Sequence, residues 1–220
     1  MSFKTIQDFY ADAIGLKVST GFLTKQIHKA SEALKRPYDD LVEQLKKEDH
    51  LHSDETGGKE NGKRRWTWCL RAKDFTVFHM DPSRGSEVLE KILGKDFAGK
   101  ISCDFFSAYR KFAKGSGVKL LFCWVHLIRE VKYISESKDK KVARYGKRLL
   151  EAIGKMFKTI HRQDDLHCCT WFRKMQKHRA LILEEAWHRL PRHDKDAWNE
   201  EEGTFRFIEE DLPATNNLCE

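Results

Sequence analysis

A change of period between residues 50 and 128 constrains this chain more than any other feature. Three strand-like runs come first. His50-Leu51-His52-Ser53-Asp54 is short and extended. Arg65-Trp66-Thr67-Trp68-Cys69-Leu70 and Phe75-Thr76-Val77-Phe78-His79-Met80 are rich in aromatic and β-branched residues, and turn-like Lys73-Asp74 between them predicts a hairpin. Pro82 and Ser83 then open a helix through Leu93, with Val88, Leu89, Ile92 and Leu93 on its apolar side. Gly99 precedes a fourth strand ending Ile101-Ser102-Cys103-Asp104. A short helix around Ala108–Phe112, a strand over 118–124 and a helix from near His126 complete the series. Three strands followed by alternating strands and helices predict an α/β fold, a mixed sheet with flanking helices.

The flanks read as helical. Residues 5–14 form a helix stopped by Gly15, and Ser19 or Thr20 caps a second. Leu23, Ile27, Ala30 and Leu34 recur on one helical face. Pro37 is expected to end this helix and open another containing Leu41 and Leu45. The entry reads as a helix-turn-helix or as plain helical packing, and packing is preferred because no base-reading residues stand out. Beyond the alternating region, residues 129–200 read as wholly helical. Val142, Leu149, Ile153, Met156, Phe157 and Ile160 make one apolar face, with Lys138, Lys141, Arg144 and Arg148 projecting elsewhere. Trp171, Leu181, Leu183, Trp187 and Leu190 mark a second helical stretch, and residues 191–203 a polar loop.

Charge singles out the same block. Residues 129–200 carry 18 Lys and Arg against 11 Asp and Glu, which is the whole of the chain's net +7. Within residues 137–162, nine basic residues meet only Asp139 and Glu151. Such a patch attracts a polyanion, or is a solvated helix face. No apolar run approaches the ~20 residues that span a bilayer, and Met1-Ser2-Phe3-Lys4 lacks a signal-peptide core, so no membrane partner and a cytoplasmic location are expected. Six cysteines without a CxxC spacing read as reduced thiols.

Asp54 and Asp104 both fall at expected strand ends, where α/β proteins assemble ligand sites. Carboxylates brought together there repel and need a cation. Hard Mg²⁺ or Mn²⁺ suits oxygen donors, and two such ions about 3.5–4 Å apart clamp a phosphodiester. The plainer reading is that each Asp caps a turn or helix.

Four segments occur in order: His52-Ser53-Asp54-Glu55-Thr56-Gly57, Asp81-Pro82-Ser83-Arg84-Gly85, Cys123-Trp124-Val125-His126-Leu127-Ile128-Arg129-Glu130, and Pro213-Ala214-Thr215-Asn216-Asn217-Leu218-Cys219-Glu220. From about residue 15 onward the chain thereby resembles the catalytic region of the insertion-sequence 66 family of bacterial transposases, with the helical block matching least distinctly. The resemblance implies a ribonuclease-H-like core with an all-helical insertion and an Asp-Asp-Glu (DDE) triad. Asp54 is the first member and Asp104, in Ser102-Cys103-Asp104-Phe105-Phe106-Ser107-Ala108-Tyr109, is the second. Glu220 is the third, with intervals of 50 and 116 residues. The divisions expected are a helical region 1–48, a catalytic core 49–128, a basic helical insertion 129–200 and a return to the core over 201–220.

The activity implied is DNA transposition. Asp54, Asp104 and Glu220 would hold Mg²⁺ or Mn²⁺, a pair of ions being expected. Water would free a 3′-OH at a transposon end, and that hydroxyl would attack target DNA. Lys138, Lys141, Arg144 and Arg148 would bind phosphates of double-stranded DNA, the protein acting as a homo-oligomer at the nucleoid. Cys123 and His126 match a Cys-x2-His signature of such enzymes, and a structural role is preferred to a zinc site, which needs four ligands. His50 and His52 share a strand face with Asp54, and Trp66 and Trp68 share a sheet face, positions that suit packing better than chemistry. The sequence stops at Glu220 and lacks upstream zinc-binding and helix-turn-helix parts, so a truncated, poor catalyst is expected. Rival readings are a non-catalytic DNA-binding remnant and a nuclease or resolvase on the same fold.

Overall fold

A computed structural model describes residues 2–187 and 204–205. The chain divides into two compact units, residues 1–44 and 45–220.

In the first unit, α1 (Phe3–Ile14) starts where the Ser2 hydroxyl accepts the Thr5 N–H, and stops at Gly15, whose φ of 72° suits glycine. Ser19 caps α2 by accepting the Phe22 N–H at 3.1 Å. Helix α2 runs from Thr20 to Leu45 with Pro37 inside it, so the expected break at Pro37 does not occur. Proline there removes the amide that would bond the Ala33 carbonyl. Residues 31–37 are exposed, so water serves that carbonyl and the helix continues.

The second unit is built on five strands: β1 (His50–Glu60), β2 (Lys63–Arg71), β3 (Thr76–Asp81), β4 (Lys100–Cys103) and β5 (Lys119–Phe122). Their order across the sheet is β3-β2-β1-β4-β5. β1, β2 and β3 are antiparallel neighbours, while β4 and β5 join in parallel. The mixed α/β sheet read from the sequence is present. β1 is longer than expected, and Asp54 lies in its middle rather than at its end. Asn61 (φ 49°) and Gly62 (φ 77°) make the tight turn that pairs Glu60 with Lys63 and extends the β1–β2 ladder through Asp54↔Cys69.

Helices α3 (Ser86–Leu93) and α4 (Ser107–Gly115) follow β3 and β4. α3 begins at Ser86, later than the expected start near Pro82, because the Asp81 carboxylate captures the Ser83 N–H and forms a turn first. Tyr109 of α4 packs edge-on against Trp68 of β2, ring centroids 6.0 Å apart, so α4 covers the face bearing Leu51, Ser53 and Glu55. Leu51, Leu70, Leu89 and Ile101 are fully buried, each contributing roughly 1.5–3 kcal/mol.

Three helices continue the chain: α5 (Trp124–Ser135), α6 (Lys140–Ile160) and α7 (Cys168–Trp187). α5 starts at Trp124, after the N-cap Cys123 that follows β5, two residues before the expected start near His126. One apolar cluster joins Trp124, Leu127 and Val131 of α5, Leu149, Ile153 and Met156 of α6, Met175 and Ile182 of α7, and Phe205. Val142, expected on the apolar face of α6, is exposed. Gly146 abuts Ser135, the last residue of α5, so Val142, one turn earlier, projects past the end of its neighbour. Leu181 is likewise exposed while Ile182 takes the buried position. Leu190 and the polar segment 191–203 fall outside the described residues. Among the described residues no helix is long and apolar enough to cross a membrane.

Candidate active site

The register between β1 and β4 positions the two acidic candidates. His50, Leu51 and His52 pair with Lys100, Ile101 and Ser102. Two residues beyond the last pair stand Asp54, still within β1, and Asp104, just past the end of β4. Both are half-buried. Asp104 leaves β4 in a turn whose shape its own carboxylate fixes, Oδ1 accepting the Phe106 N–H at 2.9 Å. The next strand contributes through the same edge: the Cys123 N–H donates to the Cys103 carbonyl at 2.8 Å, and α5 starts at Trp124.

His126 occupies the first turn of α5. A hydrogen bond with Cys123 is the largest influence raising its pKa above the ordinary imidazole range; burial opposes this, and the charges of Cys123, Asp104 and Asp54 reinforce it. Asp54, Asp104, Cys123 and His126 therefore gather at one end of the parallel strands. Glu220, the remaining acidic candidate, lies outside the described residues.

Lys138, Lys141, Arg144 and Arg148 are all exposed. Asp139 caps α6 by accepting the Lys141 and Val142 N–H groups. Lys141, Arg144 and Arg148, three and four residues apart, make one stripe along the helix. Farther along, Lys155 is paired with Glu151 at 2.8 Å, so the positive charge is strongest toward the helix N-terminus.

His50 donates to or accepts from the Ser102 hydroxyl at 2.8 Å, and its ring lies 4.7 Å from that of His52. These histidines help line a cavity of about 450 Å³ with Lys47, Glu48 and Lys73 at the start of β1, which Asp54 and Asp104 do not reach. Trp68 is buried in the core; the guanidinium groups of Arg64 and Arg84 lie over the Trp66 ring, 4.8 and 4.6 Å from its centroid. Among the described residues the three-member group with soft metal-ligand chemistry is His167, Cys168 and Cys169, exposed at the start of α7 rather than at the sheet. The five described cysteines are free thiols.

Sequence reasoning gave no role to a buried ionic group behind the candidate carboxylates. Glu55 points to the opposite face from Asp54, and its side chain is fully buried. Arg84 donates to Glu55 Oε1 through Nε at 2.9 Å and a terminal nitrogen at 2.7 Å. Tyr109 donates its hydroxyl to Oε2 at 2.6 Å. Burial pushes Glu55 above the usual carboxylate range; the Tyr109 hydrogen bond opposes this, the Asp104 charge adds to it, and Arg84 counters it. Burial foremost, then the Glu55 charge, raises Tyr109 well above the phenol range and keeps it a donor. A signal was present in the motifs themselves: Glu55 follows Asp54, Arg84 stands in Asp81-Pro82-Ser83-Arg84-Gly85, and Tyr109 closes the run that begins at Ser102.

These features define a class: a mixed α/β protein whose parallel strands bring two carboxylates and an imidazole to one end, with a basic helical block following in the chain. A family model described as Transposase IS66 family matches residues 1–220, and the chain belongs to that family. Membership brings a transposase role, with DNA as the class of partner. No curated protein sequence matches the chain.

Proposed function

We propose that the chain is a DDE transposase catalytic region that cleaves DNA at transposon ends and joins the freed 3′-OH to target DNA. The single observation that carries this reading is the β1–β4 register, which sets the strand carrying Asp54 beside the strand that leads into Asp104. Three antiparallel strands followed by two parallel ones support a ribonuclease-H-like core. On this reading residues 1–48 are an N-terminal helical region, 49–128 the core, 129–200 an insertion and 201–220 the return carrying Glu220.

The donor set fits a hard divalent cation: two carboxylates, with oxygen the preferred donor for Mg²⁺ or Mn²⁺. Asp54 and Asp104 would hold it, with Glu220 as third ligand, and a pair of ions is the expected number. Bound there, the metal supplies charge neutralisation and activates the attacking oxygen. The protein's own groups do the rest. Asp104 keeps its turn closed through the Phe106 N–H. Cys123 orients His126 at the cleft by a hydrogen bond, the structural role preferred for that pair. Lys138, Lys141, Arg144 and Arg148 would hold double-stranded DNA by its phosphates, which positions the duplex without reading its sequence. A homo-oligomer on DNA, in the cytoplasm at the nucleoid, completes the proposal.

The test is cleavage of a duplex carrying the ends of the element that encodes the chain, with Mg²⁺, with Mn²⁺ and with EDTA. Metal-dependent nicking that Asp54→Asn and Asp104→Asn each abolish is the expected result. DNA binding without cleavage in any metal, or cleavage insensitive to both substitutions, overturns it. Adding unlabelled target duplex and scoring joined products separates a transposase from a nuclease on the same fold.

A further inference from the structure

We propose that Glu55, Arg84 and Tyr109 are positioning residues that tie β1 at Asp54 to the turn carrying Asp104, holding the two carboxylates at the separation a shared divalent cation requires. The proposal rests on the metal-dependent reading above and assigns a further role to residues that do not touch the metal.

Main-chain pairing does not fix Asp104 against Asp54. The β1–β4 ladder ends at His52↔Ser102, and both aspartates lie beyond it. Without a cation their like charges favour separation. The ties that oppose this run across the other face of the sheet. Glu55 adjoins Asp54 in β1. Through Oε2 it takes the hydroxyl of Tyr109, which also lies 3.2 Å from the Ser53 hydroxyl. Tyr109 belongs to the first turn of α4, three residues after Phe106. Through Oε1 Glu55 takes two N–H groups of Arg84. The Arg84 guanidinium in turn lies 3.9 Å from the centroid of the Phe106 ring, and Phe106 is the residue whose amide Asp104 binds. Two independent connections therefore run from Glu55 to the Asp104 turn, one by hydrogen bond and one by ion pair and stacking.

The chemistry of the connection suits alignment. A buried carboxylate is tolerated only when paired and hydrogen-bonded. Two N–H groups from one planar guanidinium fix direction as well as distance, and lysine cannot reproduce that fork or the stacking on Phe106 and Trp66. An apolar cluster of equal volume would fill the space without setting an angle.

The experiment compares the full chain with Tyr109→Phe and Arg84→Lys, each checked for folding by circular dichroism, and uses two readouts without DNA. Mn²⁺ affinity, titrated by electron paramagnetic resonance, is expected to weaken about tenfold, the scale on which supporting groups act on a metal site. Hydrogen exchange of the Phe106 amide is expected to quicken in both variants. In cleavage assays the half-saturating Mg²⁺ concentration rises while the rate at saturating metal stays near the parent's. Folded variants with parental Mn²⁺ affinity and parental Phe106 exchange overturn the proposal. If one variant fails to fold, the other decides. Asp54→Asn and Asp104→Asn are the controls: if neither alters Mn²⁺ binding, the metal reading fails by itself, and Phe106 exchange alone then decides whether the tie exists.

Discussion

Replacing Gly146 by alanine should destabilise the protein, whereas the same change at Gly154, two turns along the same helix, should stabilise it. Helix propensity alone favours alanine at both sites by about 1 kcal/mol. The surroundings differ. A Cβ at Gly146 would stand 2.5 Å from the Ser135 nitrogen, 2.7 Å from its Cα and 2.9 Å from the Ile134 carbonyl carbon, all backbone atoms. Ordinary contact is about 3.5–4.0 Å, so α5 would have to retreat from α6 by roughly 1 Å. Overpacking of this kind costs about 1–3 kcal/mol and at times more. It outweighs the propensity gain through most of that range, leaving a net loss of up to about 2 kcal/mol. At Gly154 an added Cβ meets nothing within 4 Å, and a gain of about 0.5–1 kcal/mol is expected. For a chain of this size, 1 kcal/mol moves the melting temperature by about 2–4 °C. Differential scanning calorimetry of the two single variants should therefore show shifts of opposite sign. If Gly146→Ala melts at or above the parent temperature, the close approach of α5 and α6 is not a constraint and the reasoning is wrong.

Three further outcomes are expected. Changing Lys141, Arg144 and Arg148 to glutamate should weaken duplex binding and flatten its dependence on salt by about 0.9 in log–log slope for each phosphate no longer neutralised, measured by fluorescence anisotropy at several salt concentrations; an unchanged slope would remove α6 from the interface. Trp124→Phe should cost about 1–3 kcal/mol in urea denaturation, because the indole donates to the buried Thr204 carbonyl at 2.8 Å and phenylalanine cannot make that bond; a loss well under 1 kcal/mol would count against the bond. His79 is held below the ordinary imidazole range by burial first and then by the Lys91 charge, with Asp81 opposing. Protonation therefore favours the unfolded chain, so the stability His79 contributes is present above about pH 6.5 and is lost as pH falls below it; His79→Gln should show a smaller drop in stability between pH 8 and pH 5.5 than the parent, and an equal drop would show that His79 is not responsible.

The sheet's composition was legible because it is written locally. Trp66 to Leu70 and Thr76 to Met80 carry aromatic and β-branched residues, and helices announce themselves between the later strands by their spacing. What escaped is non-local. Residues 55–60, Glu-Thr-Gly-Gly-Lys-Glu, make a poor strand by propensity; they are extended because the Asn61-Gly62 turn returns the chain onto them. That turn was a readable signal. Pro37 forbids one hydrogen bond, and an exposed helix tolerates the loss. At the candidate site, no periodicity states that β1 lies beside β4; Asp54 and Asp104 stood out at expected strand ends and by motif resemblance, and only the register sets their two strands side by side. Glu55 was opaque for the same reason. A carboxylate in a strand ordinarily faces water, and only partners 29 and 54 residues away make its burial possible.

The apolar cluster of the helical block also contains Trp124, which directly follows β5 and its N-cap Cys123, and Phe205, whose ring lies 5.3 Å from the indole. A segment that shares its core with its host is not a cassette. Cutting out residues 129–200 would strand Trp124 and Leu127 in water, and the excised piece would lack part of its own interior. The two should melt in one transition, and an exchange of this block between relatives should succeed only when Trp124 and Phe205 travel with it.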